Sequence, residues 1–258
     1  MEIICSSPST ACSTLQSWFQ CTESEIKNFL CTNWMQKYEQ TDQIFEMDFE
    51  DYLYKCALRR FVPVQNVSRI HWFHGTRSAN PSSFEERGII PLNQILPELQ
   101  RTLDSLAEKH GISPATQISS YHGHHAFLMS IKQQNDMDQG PCAMLNLEAV
   151  TNAAQYDCHD YIDIPEIIED YAYVQYGDCA KKILSIYRQI TSPIVVEFWS
   201  TPEDLNCPNP RHIMGTVLLY LYTVMHRYED VSWSCCNTCY SGCGNIVDTS
   251  RIIKVFKP

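Results

Sequence analysis

Arg69-Ile70-His71-Trp72-Phe73-His74-Gly75-Thr76-Arg77 is an apolar, strand-like run that gives way to a histidine and then to a residue with no Cβ. A polar ring beside a bare Cα lets a ligand come close to the backbone. A strand ending at His74 and Gly75, on the edge of a binding site, is expected. The residues that follow, Asn80-Pro81-Ser82-Ser83-Phe84-Glu85-Glu86-Arg87-Gly88-Ile89-Ile90-Pro91, predict a polar turn, a short helix closed by Gly88 and an extended exit before proline.

Upstream, residues 23–61 read as mainly helical, with Phe49, Tyr52, Leu53 and Cys56 spaced to share one face and Arg59-Arg60 at the end where positive charge suits the helix dipole. Val62-Pro63-Val64-Gln65-Asn66 breaks the pattern, so a helical N-terminal cap over 1–66 and a main domain over 67–258 are expected. Downstream, Leu92, Ile95, Leu96, Leu99, Leu103 and Leu106 form an apolar stripe in which Pro97 forces a kink or a restart, and His110-Gly111 ends it. Asp163-Ile164-Pro165-Glu166 has the pattern of a capping box, predicting a helix with Ile164, Ile167, Ile168 and Tyr171 on its buried face. Ala180, Ile183, Leu184 and Tyr187 continue as a second helix after Gly177. Ile194 to Trp199, Val217 to Val224 and Arg251 to Phe256 are short, apolar and rich in β-branched or aromatic residues, and are expected to be strands. Helices before clustered strands favour an α+β fold over alternating βαβ units.

At 258 residues the chain is long enough to bury its own core, and 44% hydrophobic against 19% charged residues excludes long disorder. A formal charge of −11 repels polyanions, so nucleic acid is not an expected partner. The N-terminus lacks the basic and apolar regions of a secretory signal, and no run reaches the roughly 18 to 20 apolar residues of a membrane span. A soluble, cytoplasmic protein without membrane contact is expected. The 13 cysteines, an odd number with no export signal, suit reduced thiols.

A strand, His74-Gly75-Thr76, a short helix and Gly88-Ile89-Ile90-Pro91 in this order resemble the first motif of the ADP-ribosyltransferases, the NAD-consuming superfamily that includes the poly-ADP-ribose polymerases. Gly242-Cys243-Gly244-Asn245-Ile246-Val247-Asp248-Thr249-Ser250-Arg251-Ile252-Ile253-Lys254-Val255 looks similar to the end of that family's domain. The resemblance implies a split β core with helical insertions and NAD as substrate. His74 would hydrogen-bond a ribose hydroxyl, Gly75 would offer backbone groups to the carboxamide, Thr76 would support the turn and Arg77 could reach the pyrophosphate. An aromatic residue should stack on the nicotinamide, and Tyr121, beside His122-Gly123-His124-His125, is the candidate, although the same segment also reads as a surface loop with exposed histidines. The family's third motif carries a glutamate that grips the ribose, and the C-terminal segment has none. Glu197, Asp248 as a shorter substitute, or no catalytic carboxylate at all remain open.

The activity implied is ADP-ribosyl transfer to a protein or small-molecule acceptor, or NAD hydrolysis. The competing readings are a non-catalytic interaction module that keeps the fold, and a zinc-stabilised binding protein. For zinc, Cys235, Cys236, Cys239 and Cys243 are crowded into a single loop, where one pair could be completed by His226, His212 or Cys207. A loop with buried or idle thiols is favoured, and no metal ligand is assigned. Cys158-His159-Asp160 is poor ground for a nucleophilic pair because adjacent residues rarely face each other. Glu166, Glu169 and Asp170 are read as a solvated helix face.

Overall fold

A computed structural model describes residues 1–41, 47–64, 66–116, 123–134, 139–204, 208–226 and 232–258. In chain order the elements are β1 (Glu2–Ile3), α1 (Pro8–Phe19), α2 (Glu23–Leu30), α3 (Trp34–Glu39), α4 (Phe49–Leu58), β2 (Arg69–Ser78), α5 (Ser83–Arg87), α6 (Leu92–Lys109), α7 (Gly123–Gln134), β3 (Cys142–Met144), α8 (Leu147–Thr151), α9 (Glu166–Tyr176), α10 (Ala180–Ile190), β4 (Ser192–Ser200), α11 (Pro210–His226), β5 (Cys239–Ser241) and β6 (Ile252–Phe256). The fold is α+β. Among the described residues six strands form one open, mostly antiparallel sheet in the order β5-β3-β2-β4-β6, with β1 running parallel beside β2.

β2 is paired on both sides within the sheet, and Ile70, His71, Trp72 and Phe73 are buried in succession instead of alternating, the pattern of a strand covered on both faces. The same pairing carries the strand past the point where the sequence suggests it stops: His74, Gly75, Thr76 and Arg77 lie within β2, which ends at Ser78. The strand expected at residues 217–224 is instead part of α11, whose residues from Ile213 to Thr223 are all buried. A short run of unbroken apolar residues fits a buried strand or a helix buried all round, and the 17-residue length of the complete element is what distinguishes them.

The chain divides into two compact units: Met1–Phe73, Met144–Cys158 and Trp199–Tyr240 make the first, and His74–Ala143, His159–Phe198 and Ser241–Pro258 the second. Residue 66 therefore lies inside the first unit, and the chain crosses from one unit to the other between Phe73 and His74. In the first unit α11 packs against α4 and α1, burying Leu15, Phe19, Leu53 and Val217. In the second, α6, α9 and α10 enclose a core of Leu103, Ile168, Tyr171, Ile183 and Tyr187, the apolar faces expected from their spacing.

The stop at Gly111 reads as written, whereas a restart at Pro97 and the capping box at α9 do not form. α6 passes through Pro97 as one helix, although proline leaves the Asn93 carbonyl without its usual donor. α6 ends on Gly111 at φ +63°, where Ile112 N–H donates to the Ala107 carbonyl at 2.9 Å and Gly111 N–H to that of Glu108 at 3.1 Å. The expected capping box at α9 does not form: Pro165 is the N-cap residue and no side chain caps the helix. Asp163 is drawn away by Arg188, whose Nε and Nη2 donate to its two oxygens at 2.8 and 2.6 Å. That bidentate pairing holds the Asp163 carboxyl below the usual carboxylate range.

Candidate functional site

His74, Gly75, Thr76, Arg77, Glu197 and Asp248 all fall in the second unit. His74 is half-buried, and its Nδ1–H donates to the Cys142 carbonyl on β3 at 2.7 Å. A carbonyl can only accept, so this bond selects the tautomer with the lone pair on Nε2. Desolvation by the surrounding chain lowers the ring's pKa, opposed by the bond to Cys142. His74 is thus a neutral imidazole held by one nitrogen and able to accept a hydrogen bond with the other.

Gly75 and Thr76 continue the strand, both half-buried. Arg77 is committed to structure. Its Nε donates to Thr191 Oγ1 at 3.0 Å, Nη1 to the Ile162 carbonyl at 2.9 Å, and Nη2 to the carbonyls of Arg188 and Thr191 at 2.9 and 3.0 Å. The guanidinium ties the end of α10 to β2, and a pyrophosphate could claim it only by displacing these acceptors. Arg77→Ala is therefore expected to cost about 2 kcal/mol of stability in the unliganded chain, since charge-assisted bonds to the carbonyls of half-buried Ile162 and Thr191 and of exposed Arg188 are lost. Urea denaturation with and without NAD separates this effect from any loss of binding.

The two candidate carboxylates differ in role. Glu197 sits on β4, opposite Lys254 of β6, next to a register shift between Glu197 and Phe198. Opposite charges facing across strands stabilise the pairing. Asp248 is exposed and accepts from Ser250 N–H at 2.8 Å, capping the turn at Thr249–Arg251. Bonds from Ser250 hold its carboxyl below the usual range. Tyr121 lies outside the described residues, as do His122 and Cys207.

The two regions that carry the family resemblance meet in this unit. Ile89 and Val247 form an antiparallel bridge, with Ile89 N–H donating to the Val247 carbonyl at 3.0 Å and Val247 N–H to that of Ile89 at 3.1 Å. Gly88 closes α5 at φ +72° with its bare Cα against the Val247 carbonyl.

Among the described residues no group of three or more His, Cys, Asp or Glu side chains is arranged to hold a metal ion. Cys235 and Cys239 are exposed, Cys243 is half-buried, and burial pushes the Cys236 thiol up to about 12. His226 Nε2 bonds to the Leu30 carbonyl and His212 Nδ1 to Glu50. His159 bonds through Nε2 to the Ile164 carbonyl and the Cys158 thiol donates to that of Tyr156, so each is engaged locally.

Sequence reasoning missed one polar cluster. Asp170, read as part of a solvated face, is only 1% exposed. Its Oδ1 accepts from His125 Nδ1 at 2.8 Å and its Oδ2 from Lys132 Nζ at 2.6 Å, and Lys132 also pairs with Glu166 at 3.1 Å. The His125 ring stacks on Tyr173 with centroids 4.4 Å apart. His125 belongs to α7, not to a surface loop. The available signal was spacing: His125 and Lys132 are two turns apart on one helix face, Glu166 and Asp170 one turn apart on another.

Comparison of the chain with family models, with curated proteins and with solved structures found no match.

Proposed function

We propose that this chain binds NAD at His74-Gly75-Thr76 on an ADP-ribosyltransferase-like split β core and transfers ADP-ribose to a protein or small-molecule acceptor, or hydrolyses NAD. The observation that carries the reading is the state of His74. A neutral imidazole anchored through Nδ1 to the Cys142 carbonyl presents Nε2 as the acceptor that a ribose hydroxyl requires. The bridge between Ile89 and Val247, which joins the two regions similar to the family, supports the same reading. Cleavage at the nicotinamide ribose passes through an oxocarbenium-like state, so fixed orientation of the ribose is the contribution expected of His74.

The test is nicotinamide release from NAD by the purified chain, with and without candidate acceptors. Release is expected from the parent, and His74→Ala should lower it about a hundredfold, the scale of losing one oriented hydrogen bond at the reacting centre. No release by the parent, or unchanged release by the variant, would remove the assignment.

A pH dependence follows from the lowered pKa. The unfolded chain takes up the proton first, so folding loses stability as pH falls below about 6.5 and the penalty levels off once His74 is protonated in both states. Protonation also occupies the Nε2 lone pair, so NAD affinity should fall across the same window. His74→Gln, which cannot titrate there, should flatten both curves in paired melting and binding measurements.

A second reading is a module that binds NAD or a related ligand without turnover. It is favoured by the occupation of Asp248, whose carboxylate caps the turn at Thr249–Arg251. Binding without nicotinamide release selects it.

A further inference from the structure

In the second unit the cluster around Asp170 is internally satisfied, whereas Gln139 is not. Gln139 is 8% exposed, and its Oε1 has no hydrogen-bond partner among the described residues. A buried amide oxygen without a donor is costly, and native structures keep few of them. The backbone explains where the oxygen lies. Gly244 N–H donates to the Gly140 carbonyl at 2.8 Å and Gly242 N–H to that of Pro141 at 2.9 Å, so the C-terminal loop folds directly over the segment that follows Gln139. Gly244 has φ +79°, and a Cβ there would lie 3.3 Å from Gln139 Oε1 and 3.4 Å from Asn93 Nδ2. An acceptor and a donor from two different segments therefore converge on one bare Cα. Asn93 is exposed on the first turn of α6, so its side chain can turn to admit a ligand without loss of core packing.

We propose that Gln139 is a ligand-binding residue, its Oε1 accepting and Asn93 Nδ2 donating to a small molecule with an adjacent hydrogen-bond donor and acceptor, seated over Gly244. A ribose diol and a primary carboxamide both have this chemistry. The inference rests on the NAD reading to the extent that NAD carries both groups. Gln139 then supplies, as a neutral amide, an oxygen acceptor beside the C-terminal loop, which has no glutamate.

The experiment is calorimetric titration of the full chain with NAD, ADP-ribose and nicotinamide, for the parent, Gln139→Leu and Asn93→Ala, with melting of each unliganded protein. Gln139→Leu removes an unsatisfied buried oxygen, so it is expected to melt no lower than the parent while binding about tenfold more weakly. Asn93→Ala, at an exposed position, should weaken binding about threefold without moving the melting temperature. Dependence on Gln139 shared by NAD and ADP-ribose points to a ribose; dependence shared by NAD and nicotinamide points to the carboxamide. A parent that binds ADP-ribose or nicotinamide through Gln139 yet ignores NAD sinks the NAD reading and keeps this one. A parent that binds NAD as tightly as Gln139→Leu does sinks this one and keeps the NAD reading. Binding of none of the three, or a large fall in melting temperature for unliganded Gln139→Leu, overturns the inference.

Discussion

Gly88→Ala is expected to destabilise the chain by about 3 kcal/mol or more, combining a backbone conformation nearly closed to side chains with a direct collision. Gly88 has φ +72° and ψ −162°, a region populated almost only by glycine. A Cβ there would stand 2.0 Å from the Val247 carbonyl oxygen, and because that oxygen belongs to the backbone no rotamer relieves the overlap. The same carbonyl accepts from Ile89 N–H, so shifting it would break the bridge between the two regions. Gly111→Ala is the control: φ is +63° but no atom lies within 4 Å of the added Cβ, so only the left-handed strain of about 1–2 kcal/mol is expected. Urea denaturation of both variants measures the difference. Equal, small losses would mean that the contact between Gly88 and Val247 is absent in solution.

Asp170→Ala should cost about 3–5 kcal/mol, because removing one member of a buried charged group leaves its partners desolvated and unpaired. His125 and Lys132 both donate to this carboxylate, and Lys132 would retain only Glu166. A solvated acidic face predicts a change within about ±0.5 kcal/mol, so equilibrium denaturation distinguishes the two descriptions clearly. A double-mutant cycle with Lys132→Met should return a coupling above about 1 kcal/mol; additivity would show that the pair contributes nothing.

The error over Asp170 shows how far one-dimensional pattern carries. Asp170 lies one turn beyond Glu166 at the start of a helix, where acidic residues favour the dipole whether or not they are exposed. Only the packing of α7 against α9 brings His125 and Lys132 onto it. The faces of α4, α6, α9 and α10 were legible because apolar spacing at the helical period reports burial directly. α11 was not, because a helix apolar all round has no contrast between faces.

For the candidate site, the residue types at 74–77 suggested a place for ligand chemistry, while the assignment of tasks needed coordinates. Arg77 has the side chain to bind phosphate, yet the carbonyls of Ile162, Arg188 and Thr191 hold it. Asp163 and Glu166 have capping-box spacing, yet Arg188 competes for the aspartate and wins with two charge-assisted bonds. In each case the rival partner is distant in sequence.

By itself the sequence determined what neighbouring residues decide among themselves: the apolar helix faces, the stop at Gly111, the turn at Gly88 and the strands at β4 and β6. Tertiary structure alone decided which nitrogen of His74 carries its proton, which carboxylates are buried, and that Gln139 ends beside Gly244 with its oxygen unmatched. Propensity and periodicity act over a few residues, whereas burial and hydrogen-bond pairing depend on groups that the folded chain brings together from far apart.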